Sequence, residues 1–376
     1  MEGVNQRDRK GQPHRFEVLD ALRGICACGV VFFHFHTTGM ITNSAFARGS
    51  WMFVDFFFVL SGFVIYASYG GRLREGYSVP RFMGLRLGRV YPMYLAAIGF
   101  FFLFELLLLA MPSLAGREAF SGRMGWDLFA LNLSLTQIFG FVDALGWNGP
   151  GWSIAAEVWA YLLLALVLKF FARNPWPVVG LIAVVSVAYL FWQGDPWLDR
   201  TFVHALPRCL FGFCLGMALF RFGLDGPKLS KGSWTALEVL AIVASIAMVS
   251  LGDGPWTLFA PLVFAAAIWV FAREGGAASR LFATAPFATL GVLSYSIYIV
   301  HVFVQARFRD ALAVTERFGM PWSVERGADG QQVVGGPWWL ADLLSLVMLA
   351  GVVATAWVTY RLIEAPGRRW SRKLLA

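Results

Sequence analysis

Charged side chains are scarce in this chain. They make up 14% of its 376 residues, where an ordinary soluble domain carries about 25%. That shortage removes the wet faces a water-soluble helix needs. Cysteine is rare too: Cys26, Cys28, Cys209 and Cys214 all lie inside apolar segments, with neither metal-ligand spacing nor a pattern that implies bridges. They read as small buried hydrophobes, and no metal site is expected. No internal repeat is visible, which counts against inverted-repeat transporter folds. Low-complexity linkers and soluble appendages are also missing. No small-residue cleavage site follows the first apolar run, so that run reads as an uncleaved signal-anchor behind a polar tail, 1–17. The net charge of +8 comes without a basic stripe interleaved with aromatics, and nucleic acid is not an expected partner.

What is present is apolar sequence in long runs. Segments such as Ala96–Met111, Leu237–Leu251 and Leu340–Val358 have too few polar positions to leave a solvated face, and a helix apolar all round belongs in lipid or a large core. A spanning helix needs about 20 apolar residues. The runs predict about ten spans: 18–38, 50–70, 89–111, 152–172, 176–192, 203–222, 234–251, 256–272, 287–308 and 338–362. The expected fold is therefore an all-α polytopic membrane helix bundle. The stretch 126–141 is short and interrupted by Asn132, Ser134, Thr136 and Gln137, and reads as a re-entrant or interfacial helix. Two long outer loops, 112–151 and 309–337, read either as a vestibule for an extracytoplasmic substrate or as plain solvated loops.

Lysine and arginine placement orients the bundle. One side collects Arg7, Arg9, Lys10 and Arg15, then Arg72, Arg74, Arg81, Arg86 and Arg89, then Lys228 and Lys231. A C-terminal tail, 365–376, adds Arg368, Arg369, Arg372 and Lys373 to the same side. The other side holds fewer, among them Arg48, Arg117, Arg200 and Arg326. Both termini are expected in the cytoplasm.

An ionisable group inside a span costs at least about 2.5–3.5 kcal/mol on the insertion scale, so it needs a partner or a purpose. The first span carries Asp20, Arg23, His34 and His36. Arg23 and His34 lie roughly three turns and about 16 Å apart on one face. Arg86 and Arg89, at i and i+3, can grip one polyanion from a single helix face, although a topology signal would look the same. Ser153, Glu157 and Tyr161 fall at i, i+4 and i+8, a polar stripe on an apolar helix. Glu157 must face the interior, either as a working carboxylate or as the partner of a buried arginine. Ser294, Tyr298 and His301 form a second stripe, read as packing or as substrate contact. Asp55 sits in apolar surroundings and is expected to pair with a residue of the first span.

These segments together resemble the acyltransferase-3 family of integral membrane proteins. The resemblance is carried by Leu19-Asp20-Ala21-Leu22-Arg23-Gly24 with His34, by Asp55–Phe63, and by Arg81-Phe82 through Arg86, Arg89, Tyr91 and Pro92. It continues through Trp152-Ser153, Glu157 and Tyr161, then Ser294–His301, and ends at Tyr360-Arg361-Leu362-Ile363-Glu364-Ala365-Pro366. Two positions depart from the family pattern: Ala21 stands where glycine is usual, and Val158 where many members have a second glutamate. The resemblance implies a domain over 18–364 in a bacterial inner (plasma) membrane. It also implies no bound cofactor, a cytoplasmic acyl-CoA co-substrate (acetyl-CoA foremost), and a carbohydrate hydroxyl as acceptor.

On that footing Arg86 and Arg89, with Arg23, are expected to hold the donor phosphates, because guanidinium forks match phosphate oxygens. His34 is expected as general base or acyl relay. Asp55 or Glu157 would hold its tautomer or stabilise its cation. Ser153, Tyr161, Tyr298 and His301 would line the acceptor pocket, and one continuous passage would join His34 to the arginine pair. A transporter and a small-molecule acyltransferase are the rival readings, and the oligomeric state is not legible.

Overall fold

The computed structural model describes residues 16–111, 117–142, 144–223, 227, 229–327 and 331–375. The basic residues Arg7, Arg9, Lys10, Arg15 and Lys228, and with them most of the 1–17 tail, lie outside the described residues.

The chain is a helix bundle. Its elements are α1 (Glu17–Phe33), two short outer pieces α2 (Met40–Asn43) and α3 (Ala45–Gly49), α4 (Phe53–Ile65) and α5 (Gly71–Arg74). Then come α6 (Val79–Ala110), α7 (Trp126–Leu133), α8 (Gly151–Phe170), α9 (Trp176–Gln193), α10 (Ala205–Gly223), α11 (Lys231–Ser250) and α12 (Ala260–Phe271). The last are α13 (Ala277–Phe282), α14 (Ala285–Glu316), α15 (Trp338–Thr359) and α16 (Ala365–Leu375). A single hairpin of β1 (Ser323–Arg326) and β2 (Gln332–Gly335) precedes α15.

Among the described residues, 8 helices are long and apolar enough to cross a membrane. The shorter α1 and Pro255–Phe271 occupy two further expected spans, 18–38 and 256–272. Burial divides the bundle by role. The helix Ala45–Arg74 has 78% of its most apolar window buried, whereas Lys231–Ser250 has 11%. Aliphatic residues such as Leu240, Val243, Leu181 and Val184 therefore face outward. In lipid such a surface costs nothing, because the tails are as apolar as leucine.

Helix starts follow local chemistry. Ser78 accepts from the Arg81 N–H at the head of α6, and Ser230 does the same for α11, each satisfying an orphan donor. Proline occupies the first turn of α6, α9, α12 and α14, where its missing N–H is harmless. Ser78 and Pro80 start the third span ten residues before the expected 89. At about 1.5 Å per residue, the 32 residues of α6 reach about 48 Å, well beyond a hydrocarbon core of about 30 Å. Its first turns, with Arg86, project at one rim. Likewise α14 runs on to Glu316, so the expected outer loop 309–337 is a helix end followed by the hairpin. The 126–141 segment holds the short α7, whose Asn132 carbonyl accepts from the Tyr94 hydroxyl at 3.0 Å; Gln137 donates to the same hydroxyl at 3.1 Å. It packs on α6 without spanning.

Close backbone approach sets two helix pairs. A Cβ on Gly24 would lie 2.4 Å from the Leu290 carbonyl carbon, and one on Gly291 2.6 Å from the backbone of Asp20. This mutual fit lays α1 along α14. Gly216 does the same for α10 against α4, its Cβ position falling 1.9 Å from the Val59 carbonyl.

The C-terminal stretch 365–376 departs from the tail expected there. Through a π-helical turn, Tyr360–Glu364, α15 continues into α16, which folds against α6. A second π turn, Tyr66–Gly70, links α4 to α5 at the same end.

Candidate active site

The apposition of α1 and α14 brings two of the polar patterns together. Arg23 Nε donates to Ser294 Oγ at 2.7 Å, a terminal nitrogen donates to the Gly291 carbonyl at 3.3 Å, and Asp20 lies 3.1 Å away. Further along, His301 Nε2 is 3.3 Å from His34 Nδ1. One turn past His301 on α14, Gln305 donates to the Val31 carbonyl at 2.7 Å.

The imidazole contacts fix the tautomers. Carbonyl oxygens only accept. His301 Nδ1, 2.6 Å from the Tyr298 carbonyl, therefore carries its proton, as does His34 Nδ1, 3.0 Å from the Val30 carbonyl. In the neutral rings both Nε2 atoms are then bare. His301 Nε2 faces the His34 Nδ1–H, and His34 Nε2 is left with a lone pair that no described group engages. His34 is partly exposed, His301 fully buried. Directly after His34 the chain joins β2: Val334 N–H donates to the His36 carbonyl and Thr38 N–H to the Val334 carbonyl, each at 3.0 Å.

A narrow cavity of about 100 Å³ enters the bundle from the rim where Arg86 and Arg89 sit. Arg23, Arg86 and Arg89 line its mouth, Ser61, Glu157 and Tyr161 its wall, and Ser153 and Tyr298 its far end. Glu157 accepts from both the Ser61 and Tyr161 hydroxyls. The Ser153 and Tyr298 hydroxyls bond each other at 2.8 Å and both reach the Pro150 carbonyl.

Several expectations change here. The passage is not continuous: His34 and His301 are absent from its lining, and it stops at Tyr298, whose ring centroid lies 5.8 Å from that of His301. Asp55 neither touches His34 nor pairs with the first span. Its two oxygens accept from Arg208 of α10 at 3.0 and 2.7 Å, both residues being fully buried. The Arg208 guanidinium also stands over the rings of Trp51 and Trp152. Asp55 is a tie between α4 and α10; a bidentate pair that deep removes the cost of two lone charges. Glu157 is no partner of His34 either, and it forms no ion pair among the described residues. Its carboxylate belongs to the cavity wall. Tyr161 and Ser153, expected in the acceptor pocket, line the cavity whose mouth the arginines form; Tyr298 closes it, and His301 is not in its lining.

Other residues of this site were not singled out in the sequence, although Ser61 and Tyr295 fall within the segments Asp55–Phe63 and Ser294–His301. Ser61 and Tyr295 line the cavity, the latter donating to the Val90 carbonyl at 2.6 Å. Tyr69, on the π turn, stands under Arg86, with 5.0 Å from guanidinium carbon to ring centre. A period-3.6 pattern does not register a π turn, so Tyr69 could not be placed.

The fold is a polytopic helix bundle with an interior imidazole pair at one level and an arginine-lined cavity mouth at another. The acyltransferase-3 family model, described as an acyltransferase domain, matches residues 16–361. The chain belongs to that family and is a multi-pass membrane acyltransferase. It is similar to "Protein 2 in picA locus" of Rhizobium radiobacter, 30% identical over 189 residues, covering 47% of this chain and 94% of that protein. It is also similar to the "Putative membrane-bound transacylase BcsY" of Komagataeibacter xylinus, 25% identical over 299 residues, covering 75% of this chain and 71% of the relative. No solved structure matches.

Proposed function

We propose that the protein transfers an acyl group, acetyl in the simplest case, from cytoplasmic acyl-CoA to a hydroxyl of an extracytoplasmic or lipid-linked glycan. The observation that carries this reading is the cavity. It runs from the cations at the rim past Glu157 and Tyr161 to Ser153 and Tyr298, and ends one side chain short of the histidine pair. A cavity that leads from cations to interior hydroxyls suits a phosphate-headed donor with an unbranched pantetheine arm and a short acyl group. The similarity to BcsY, described as a putative membrane-bound transacylase, supports acyl transfer. The glycan acceptor follows the family resemblance and the polar strand-paired segment beside His34.

In this reading Arg86 and Arg89 hold phosphate oxygens at the cytoplasmic rim, with Arg23 behind them. The thioester reaches the Ser153–Tyr298 end, and turnover requires the Tyr298 ring to swing aside so that the cavity meets His34. The bare Nε2 of His34 accepts the proton of the acceptor hydroxyl. The oxygen attacks the thioester carbonyl, the C–S bond breaks, and His34 returns the proton to the departing sulfur. His301 accepts from the His34 Nδ1–H and so holds the ring with Nε2 free to take the acceptor proton.

The test is acyl transfer by membranes containing the protein, supplied with labelled acetyl-CoA and the host's glycans. Labelled O-acyl sugar is expected from the wild type and none from His34→Ala at equal protein abundance. Full product from His34→Ala would overturn the assignment, and no labelled product from the wild type would overturn the donor.

A further inference from the structure

A second cavity, of about 280 Å³, lies at the arginine rim between α6 and α16. Arg86 and Arg89 line it from α6, and Arg368 and Arg372 from α16. The α6 pair also lines the mouth of the bundle cavity, so the two spaces adjoin at those residues. In the sequence, Arg368 and Arg372 look like topology charges; the fold gives them an address.

The docking of α16 is built, not incidental. A Cβ on Gly88 would lie 2.1 Å from Ser371 Cβ, one on Gly84 2.8 Å from the Leu375 side chain, and one on Gly367 2.8 Å from Pro92. The two helices touch because glycine stands at these positions. At about 100° per residue, the helix then has four distinct sides. Ser371 and Leu375 face α6, Arg368 and Arg372 the basin. Trp370 and Leu374 form an exposed apolar stripe, 66% and 63% accessible, suited to the bilayer interface. Arg369 and Lys373 take the remaining side.

The basin holds more positive charge than its surroundings answer. Glu364 is the carboxylate that reaches it, 3.5 Å from Arg368, and it also accepts from Ser296 at 2.7 Å. Arg86 Nε is buried with no hydrogen-bond partner. Arg89 forms no hydrogen bond or ion pair with the described residues and lies within electrostatic reach of both Arg23 and Arg368. Like charges held this close by packed helices call for an anion, and guanidinium forks match phosphate oxygens.

We propose that α16 is half of the donor site: Arg368 and Arg372 close with Arg86 and Arg89 around the nucleotide end of coenzyme A, its pyrophosphate and ribose 3′-phosphate. This rests on the acyl-CoA reading above. A pyrophosphate plus a further phosphate carries more charge than the α6 pair alone can match, and the pantetheine arm leaves the basin through the mouth those residues share. The same chemistry could come from an anionic lipid headgroup, and the test separates the two sources.

The full chain is reconstituted in phosphatidylcholine nanodiscs, and binding of free coenzyme A is measured by calorimetry at low salt. Arg368→Gln with Arg372→Gln should weaken binding by about tenfold or more, as loss of charge-assisted contacts does. Arg369→Gln with Lys373→Gln, on the far side of the same helix, should bind as wild type. Gly88→Leu, which keeps every arginine but displaces Ser371, should mimic the first variant. Unchanged affinity in Arg368→Gln with Arg372→Gln, alongside a loss in Arg86→Gln with Arg89→Gln, would overturn the role of α16 and leave the donor reading intact. A wild type that ignores coenzyme A yet exchanges phosphatidylglycerol into the disc in an arginine-dependent way would overturn both.

Discussion

The arginine end and the histidine end of the α1–α14 pair are built on opposite electrostatic plans. At the arginine end, cations outnumber carboxylates, Arg86 Nε is unsatisfied, and the space is open. At the histidine end two imidazoles are held by backbone carbonyls, His301 is fully buried, Tyr298 closes the route from below, and Arg309 stands over the neighbouring Phe35 ring. Charge left unanswered is a binding device, because an incoming anion supplies what the fold withholds. Neutral rings with assigned protons are a chemical device, because proton transfer needs a fixed lone pair. The α1–α14 pair carries Arg23 toward one end and the two imidazoles toward the other, a separation set by helical rise. The remaining arginines come from α6 and α16.

The largest expected effect falls at the histidine end. His34→Ala should lower kcat by about 10²–10⁴-fold, the usual worth of a general base, while coenzyme A binding in nanodiscs stays unchanged. A parallel loss of donor affinity would break the division between the ends. Next is the tie between α4 and α10, which belongs to neither end. Asp55→Ala leaves the buried Arg208 guanidinium only the Arg200 carbonyl at 3.1 Å and the half-exposed Asp199 at 3.8 Å, and breaking a buried pair costs up to about 3–5 kcal/mol. Thermal melting in detergent should drop accordingly, with Glu157→Gln far milder because Glu157 answers only neutral hydroxyls.

At the arginine end, Arg86→Gln with Arg89→Gln should raise KM for acyl-CoA by about tenfold or more, from contacts worth about 1.5–3 kcal/mol each, with kcat largely kept. Steady-state kinetics at two salt concentrations would check it, and an effect confined to kcat would contradict the phosphate role. Smallest is Ser294→Ala, which removes one hydrogen bond from Arg23, about 1 kcal/mol. It should be visible as a modest fall in melting temperature. A large activity loss from Ser294→Ala would mean that Arg23 orientation, not charge alone, governs the mouth.

Apolar run length and basic punctuation were enough to read the spans, because lipid imposes them residue by residue. Cap chemistry could have moved the start of the third span to Val79, since Ser78 and Pro80 are legible signals. The stripes Ser153–Glu157–Tyr161 and Ser294–Tyr298–His301 were legible as single helix faces for the same local reason. Their partners were not. Asp55 looks equally ready to pair with any buried cation, and it meets Arg208 because glycines at Gly62, Gly212 and Gly216 press α10 onto α4.

What the sequence determined by itself is therefore one-dimensional: which segments cross, which faces are polar, and which residues have chemistry to offer. Tertiary structure alone decided which face meets which. It joined Asp55 to Arg208 and not to His34, set His301 against His34 Nδ1, interposed Tyr298 between cavity and imidazole, and folded α16 back to put two more arginines opposite Arg86 and Arg89. Helix pairing depends on close backbone approach between positions far apart in the chain, and no local pattern records it.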